Sequence, residues 1–377
     1  MNPEIDTLID PILKIYNEIE LELLREIAMQ FDVYDTIGGT MDWQIQKLDE
    51  LGSLNSAAIR VFEKWSGKTR NAILNMLESA GYSNIDMVLL EKAFQADLFS
   101  VSPKKLLESS VFRSAIQNSY REVNQTFRLI QTKAIESTKQ AYMTVLNTAY
   151  IETSGGIYDY NTSIRKALQR MAARGITGAT YQRNGTVVHY SLEGTVRRDT
   201  LTAVHQLANR CVVAAAEEGN AEYVEVSKHM GARVSETNPI ANHAGWQGKV
   251  FKIYGFDRKY GNLKTNTGYP DDIQGLGGVN CRHRMFLFFP GLSIPSQYEE
   301  NDAENERVYH LTQKQRRKER EIRVLKKQLE VAVASGDTVS ALLLRKKLNK
   351  NRKELSLFCR ENGLKRDWNR EMISKEA

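Results

Sequence analysis

Cysteine is scarce in this sequence. Cys211, Cys281 and Cys359 are the three among 377 residues, far apart and without Cys-x-x-Cys spacing. An odd, scattered set excludes a disulfide framework and suits a reducing cytoplasm. No run of about 18 uncharged apolar residues occurs, so no membrane-spanning helix and no membrane partner are expected. The opening "MNPEIDTLID" is acidic rather than basic and then apolar, which reads against a secretory signal peptide. The glycine string Gly275-Leu276-Gly277-Gly278 lacks a following helix and a Gly-Lys-Ser/Thr ending. That excludes a P-loop and argues against a dinucleotide fold.

Positive charge is thin at the front and dense at the back. Residues 1–100 hold 8 Lys/Arg against 17 Asp/Glu, a balance of −9, whereas residues 301–377 hold 20 against 12, a balance of +8. Such polarity points to different partners at the two ends, a protein surface for one and nucleic acid for the other.

Hydrophobic spacing predicts helix through most of the first half. Ile5, Leu8, Ile9, Ile12, Tyr16, Ile19, Leu23 and Ile27 line one face of a 3.6-residue helix that must be buried. A break at Gly38-Gly39 is followed by shorter runs at 41–51, 56–79 and 84–98, read as separated by Gly52, Gly81 and Pro103. From 104 to 153 there is neither Gly nor Pro, which predicts one helix of about 40 residues, long enough to reach between partners.

After Gly155-Gly156 the pattern changes. A short helix ending at Gly175 is expected, then a hairpin about Asn184-Gly185, because a type I′ turn needs positive φ at both central residues. A helix over 195–218, a strand at "AEYVEVS" and a last strand from Met285 to Phe289 complete this part. The tail reads as two helices turning at Ser335-Gly336-Asp337 with a thin apolar stripe, a hairpin that needs a neighbour. The expectation is an α+β fold in three parts: a helix-rich acidic region (1–155), an α+β domain with a small antiparallel sheet (157–296), and a basic helical hairpin (301–377).

The densest chemistry lies between Ser227 and Ser293. His229, His243, Cys281 and His283 offer the nitrogen and sulfur donors that zinc accepts in a closed structural site. Against this, Cys281 and His283 are two apart and would point to opposite faces of an extended segment. A second reading makes the region architectural: His243, Asn280 and Arg282 bond the backbone of the Gly275/Gly277/Gly278 loop, with no cofactor required. A third is catalysis by a Cys281 thiolate with His243 as base, for which no orienting carboxylate is evident. His205 reads as a core histidine on the apolar face of its helix.

In the tail, Arg316, Arg317, Lys318, Arg320, Arg323, Lys326 and Lys327, echoed by Lys346 and Lys347, are either a solvated charged face or a surface for phosphate contact without base reading.

Four blocks in order carry a resemblance: "VSKHMGAR", "NHAGWQGKVF", "GLGGVNCRHRMFLFFPGLS" and "QKQRRKEREIR". Together, with Trp246, Gln247, Gly248, Gly277, Gly278, Asn280 and Arg282 at their centres, they resemble the phage minor capsid protein 2 family. They are also similar to the Mu F-like head morphogenesis domain, whose last element is usually Asn-Cys-Arg-Cys. Here His283 stands in place of the second cysteine, which counts against a two-thiolate metal site. The resemblance implies a few-copy component of a tailed-phage head, encoded beside the portal, assembled in the host cytoplasm and carried in the virion. It implies head morphogenesis, portal and other capsid proteins as partners, possible contact with packaged DNA, and no established catalytic residues. The competing expectation is a virion-carried enzyme or toxin-like domain, which requires His243, Cys281 and His283 to meet in an accessible cleft.

Overall fold

The computed structural model describes residues 5–31, 50–183, 185–296 and 302–373. The expected break at Gly38-Gly39, all but the end of the helical run at 41–51, and Asn184 of the hairpin turn lie outside them. A 3-10 turn (Ile5–Ile9) leads into α1 (Asp10–Met29), followed by α2 (Leu51–Tyr82), α3 (Met87–Gln95), α4 (Pro103–Leu107), α5 (Ser110–Ser154) and α6 (Tyr160–Arg174). The hairpin β1 (Thr177–Arg183) and β2 (Thr186–Ser191) precedes α7 (Leu192–Gly219), β3 (Tyr223–Val226), α8 (His243–Trp246), β4 (Val250–Lys252), α9 (Leu263–Thr267) and β5 (Met285–Phe288). The chain ends on α10 (Asp302–Ala334) and α11 (Thr338–Glu361), then a 3-10 turn (Trp368–Glu371). The fold is α+β.

Backbone contacts divide the chain into two compact units. One comprises residues 1–9, 71–126 and 197–312, the other 10–70, 127–196 and 313–377. The parts expected at 1–155, 157–296 and 301–377 are each divided between these units. Charge and residue type follow position along the chain, whereas a compact unit collects whichever segments bury one another's apolar faces.

In the unit that holds the sheet, β3 lies between β4 and β5 and pairs antiparallel with both, Tyr223 opposite Lys252 and Phe288. β4, which starts in the last two residues of "WQGKVF" and ends at Lys252, was not evident as a strand in the sequence. α2 runs through Gly52 and Gly81, which read as breaks in the sequence. At Gly81 a Cβ would come within 3.2 Å of Ile116 of α5, so this glycine permits close helix packing instead of ending a helix. The start of β5 is held by Asn209 of α7, which is fully buried: its Oδ1 accepts from Met285 N (2.9 Å) and its Nδ2 donates to His283 O (3.3 Å).

The other unit is built around α1. Ile12, Tyr16, Ile19, Leu23 and Ile27 are buried as the spacing predicts, and so are Leu13, Leu21 and Leu24, so α1 is surrounded on nearly every side. β1 and β2 form the expected hairpin, with Arg183 opposite Thr186 and Gly185 at φ +76°. The α10/α11 turn is the one expected: Gly336 has φ +73°, and the Asp337 carboxylate accepts from Ser340 N to cap α11. Ile322, Leu325, Leu348, Leu355 and Cys359 form the hairpin's core. Val339 and Leu342 of α11 are exposed and take no part in it. The neighbour the hairpin needs is α1 of the same chain, through the ion pairs Glu20–Lys327 (2.7 Å) and Arg25–Glu330 (2.6 Å).

Candidate functional site

β3 and β5 stop pairing as strands at Val226 and Met285, but the contact continues for one step. Ser227 N donates to Arg284 O (2.8 Å), and Arg284 N donates to Ser227 Oγ (2.9 Å). This lays 227–230 beside 281–284. Gly248 N donates to Val226 O (2.9 Å), with Gly248 at φ +70°, and brings the end of α8 to the same place.

His243, Cys281 and His283 meet there, their donor atoms within 4.8 Å of one another. Their relative exposures are 3%, 1% and 1%, so the cluster lies in the interior and not in an accessible cleft. Residues 281–284 are not extended strand, and Cys281 N donates to Gly278 O (3.0 Å) in a turn. Lying outside β5, residues 281–283 are not bound to the strict alternation of a strand. The His229 ring stacks on His283 with centroids 4.3 Å apart, and Trp246 meets the rings of His243 and His283 at 4.5 and 4.8 Å.

Each ring proton can be placed. His243 Nε2 lies 2.7 Å from Gln274 O, which can only accept. His283 Nε2 lies 3.0 Å from Gln247 Oε1, and that atom also accepts from His229 N (3.1 Å). A main-chain N–H only donates, so the Gln247 atom is the oxygen and His283 carries its proton on Nε2. His283 Nδ1 is 3.6 Å from Cys281 Sγ, within reach of its S–H. Burial holds His243 down to about 4 and His283 well below the ordinary histidine range, so both are neutral. Burial also pushes the Cys281 thiol up.

The glycine loop is held by Arg233, which donates to Gln274 O (3.2 Å) and Val279 O (3.0 Å), and by His243. Two residues expected to share that task are elsewhere. Asn280 is exposed at φ +60°, and Arg282 is directed to Asp6 (3.3 Å), whose carboxylate also meets buried His205 (2.9 Å). Burial raises the Asp6 pKa, but the His205 hydrogen bond and the Arg282 charge outweigh it and bring it to about 2. Neither Asn209 nor Asp6 was singled out by sequence reasoning. The available signal for Asn209 was a polar residue four positions from His205 on the apolar face of α7.

In the basic tail, Arg317, Arg320, Lys346 and Lys347 are exposed, and Arg316 and Lys318 are half-buried. Arg317 pairs with Glu321 (3.2 Å), and the Lys318 ammonium lies 5.8 Å from the Phe358 ring. Arg323, Lys326 and Lys327 are buried and not available to a polyanion. Arg323 is bound to Glu193 (2.7 Å) and to the carbonyl of Arg370. Part of the tail's positive charge is thus consumed inside its own unit.

A family model described as phage minor capsid protein 2 matches residues 1–360. A protein called "Structural protein" from Lactococcus phage LL-H is 21% identical over 349 residues, covering 88% of each chain. No solved structure matches.

Proposed function

Because the chain belongs to the phage minor capsid protein 2 family, we propose that it is a minor structural component of the virion head, placed at the portal or inner shell during assembly. The observation that carries this reading is the match across residues 1–360, which spans both compact units instead of one detachable module. The 45-residue α5, about 67 Å long at 1.5 Å per residue, suits a part that connects neighbours. The burial of His243, Cys281 and His283 supports a non-enzymatic role, since a substrate would have to displace packed side chains to reach them.

A nonsense codon early in the gene should abolish infectious particles in a non-suppressing host while infected cells still make the other virion proteins. Mass spectrometry of purified wild-type virions should find the chain at far fewer copies than the main shell protein, and an affinity-tagged copy should retain the portal. Normal infectious yields without the protein, or its absence from virions, would refute the reading.

Contact with packaged DNA belongs to the same proposal and is supported by the exposed cations of α10 and α11. Binding should be weak, indifferent to sequence and steeply salt-dependent. Replacing Arg317, Arg320, Lys346 and Lys347 by Gln should flatten the plot of log affinity against log salt by about 0.9 for each phosphate no longer neutralised. Thermal unfolding should change little, because these side chains are exposed. An unchanged slope would assign the face to protein neighbours.

A further inference from the structure

Around Cys281, three imidazoles have their ring protons directed onto oxygen atoms. His243 Nε2–H is bound to Gln274 O and His283 Nε2–H to Gln247 Oε1, which leaves the Nδ1 lone pair of each free of that bond. His229 repeats the arrangement with the ring reversed. Its Nδ1 lies 3.2 Å from Met230 O and so carries the proton, while its Nε2 is buried without a hydrogen-bond partner. An orphaned buried acceptor is costly, and it needs an explanation. Histidines that ligate a metal hold their other N–H on a carbonyl or carboxylate in this way, which fixes the tautomer and aims the lone pair.

We propose that His243 Nδ1, Cys281 Sγ, His283 Nδ1 and His229 Nε2 form a closed, structural zinc site. One ring nitrogen each of His243 and His283 and the Cys281 sulfur already lie within 4.8 Å of one another. Around a tetrahedral ion with bonds of 2.0 to 2.3 Å, donors stand about 3.5 Å apart, so a contraction of about 1 Å closes the shell. His229, whose ring stacks on His283, supplies the fourth donor through its unpartnered Nε2. One thiolate and three neutral imidazoles suit zinc among the divalent ions, being neither the all-oxygen set of magnesium or calcium nor an all-thiolate set. On binding, the Cys281 S–H bond breaks, its proton leaves to solvent and sulfur forms the bond to zinc. No electron is transferred.

The site explains what the region would otherwise lack. Between Val226 and Met285 regular structure is limited to α8, β4 and α9, each of three to five residues. A metal would tie the segment after β3, the start of α8 and the lead into β5 at one point, so that binding energy becomes folding energy.

The test uses the full chain, purified without chelator or added metal. Plasma mass spectrometry should find one zinc per chain. The protein refolded with cobalt(II) in place of zinc should show tetrahedral d–d bands together with a thiolate-to-cobalt charge-transfer band. His229→Ala should keep the charge-transfer band and alter the d–d bands as water replaces nitrogen, and Gln247→Leu should weaken zinc affinity on the order of 10- to 100-fold. The spectrum of the unmutated chain decides the matter even where Cys281→Ser fails to fold. Substoichiometric zinc with no uptake by the chelated protein, or cobalt bound without a thiolate band, would overturn the proposal.

Discussion

Lys327→Met is expected to cost the protein about 3 to 5 kcal/mol. Lys327 is buried in α10. Lys327 Nζ is 2.7 Å from Glu20 Oε2, and Glu20, in the middle of α1, is 0% exposed with its other oxygen accepting from Ile176 N (3.0 Å). Removing Lys327 strands a carboxylate where water cannot reach it. The double variant Glu20→Gln with Lys327→Met keeps an acceptor for Ile176 N and removes both charges, so it should recover much of the loss. Lys326, one residue earlier and also buried, is held down to about 8 by burial, with the charge of Arg352 adding to the effect. Below pH 8 the native and unfolded lysine are both charged, and the full penalty of burying that charge is present. Between 8 and the ordinary 10.5 the unfolded state binds more protons than the native one, so the penalty fades as pH rises. Stability should therefore rise with pH between 8 and 10.5, and Lys326→Met should remove that rise. Thermal melts across that range read both effects; no loss from Lys327→Met, or a pH dependence that Lys326→Met leaves unchanged, would show the argument to be wrong.

The second large effect is expected at the glycine loop. Gly278→Ala should destabilise by about 3 kcal/mol or more, because the new Cβ would overlap the backbone carbonyl of Ile273, which cannot swing aside as a side chain can. Gly275 is equally confined, against the carbonyl of Thr267. Gly277→Ala should cost only about 1 to 2 kcal/mol: its φ is +74°, a conformation unfavourable to L-residues, but the nearest atoms to a Cβ are ordinary contacts with the Tyr269 ring at 3.6 Å. Since Gly278 O accepts from Cys281 N, the Gly278→Ala protein should also expose the Cys281 thiol to alkylation faster than the native chain does, readable by peptide mass spectrometry. A Gly278→Ala variant as stable as Gly277→Ala would mean that the loop yields more readily than its packing indicates.

Much of the helical architecture was legible in the sequence, because periodicity registers burial directly. The residues of α1, the Gly- and Pro-free stretch that became α5, the hairpin about Gly185 and the turn at Gly336 all follow from local rules. Glycine was less transparent. Gly81 read as a break because a glycine in a helix costs conformational entropy, yet its meaning was a neighbour's approach, which no local pattern records. Cys281 and His283 read as ill-placed to cooperate as long as their segment was taken as extended. Their segment precedes β5 and lies outside any strand, and in the fold their donor atoms meet.

By itself the sequence determined the α+β class, the blocks that mark the family, and the residue types gathered between Ser227 and Ser293. These rest on spacing and composition, which act over a few residues. Tertiary structure alone decided which charges of the tail are free, since Arg323 and Lys327 find their partners in Glu193 and Glu20, 130 and 307 residues away in the chain. It likewise decided that three histidines and a cysteine converge. Burial and pairing depend on which distant segments come to share one interior, and that is a property of the folded chain as a whole.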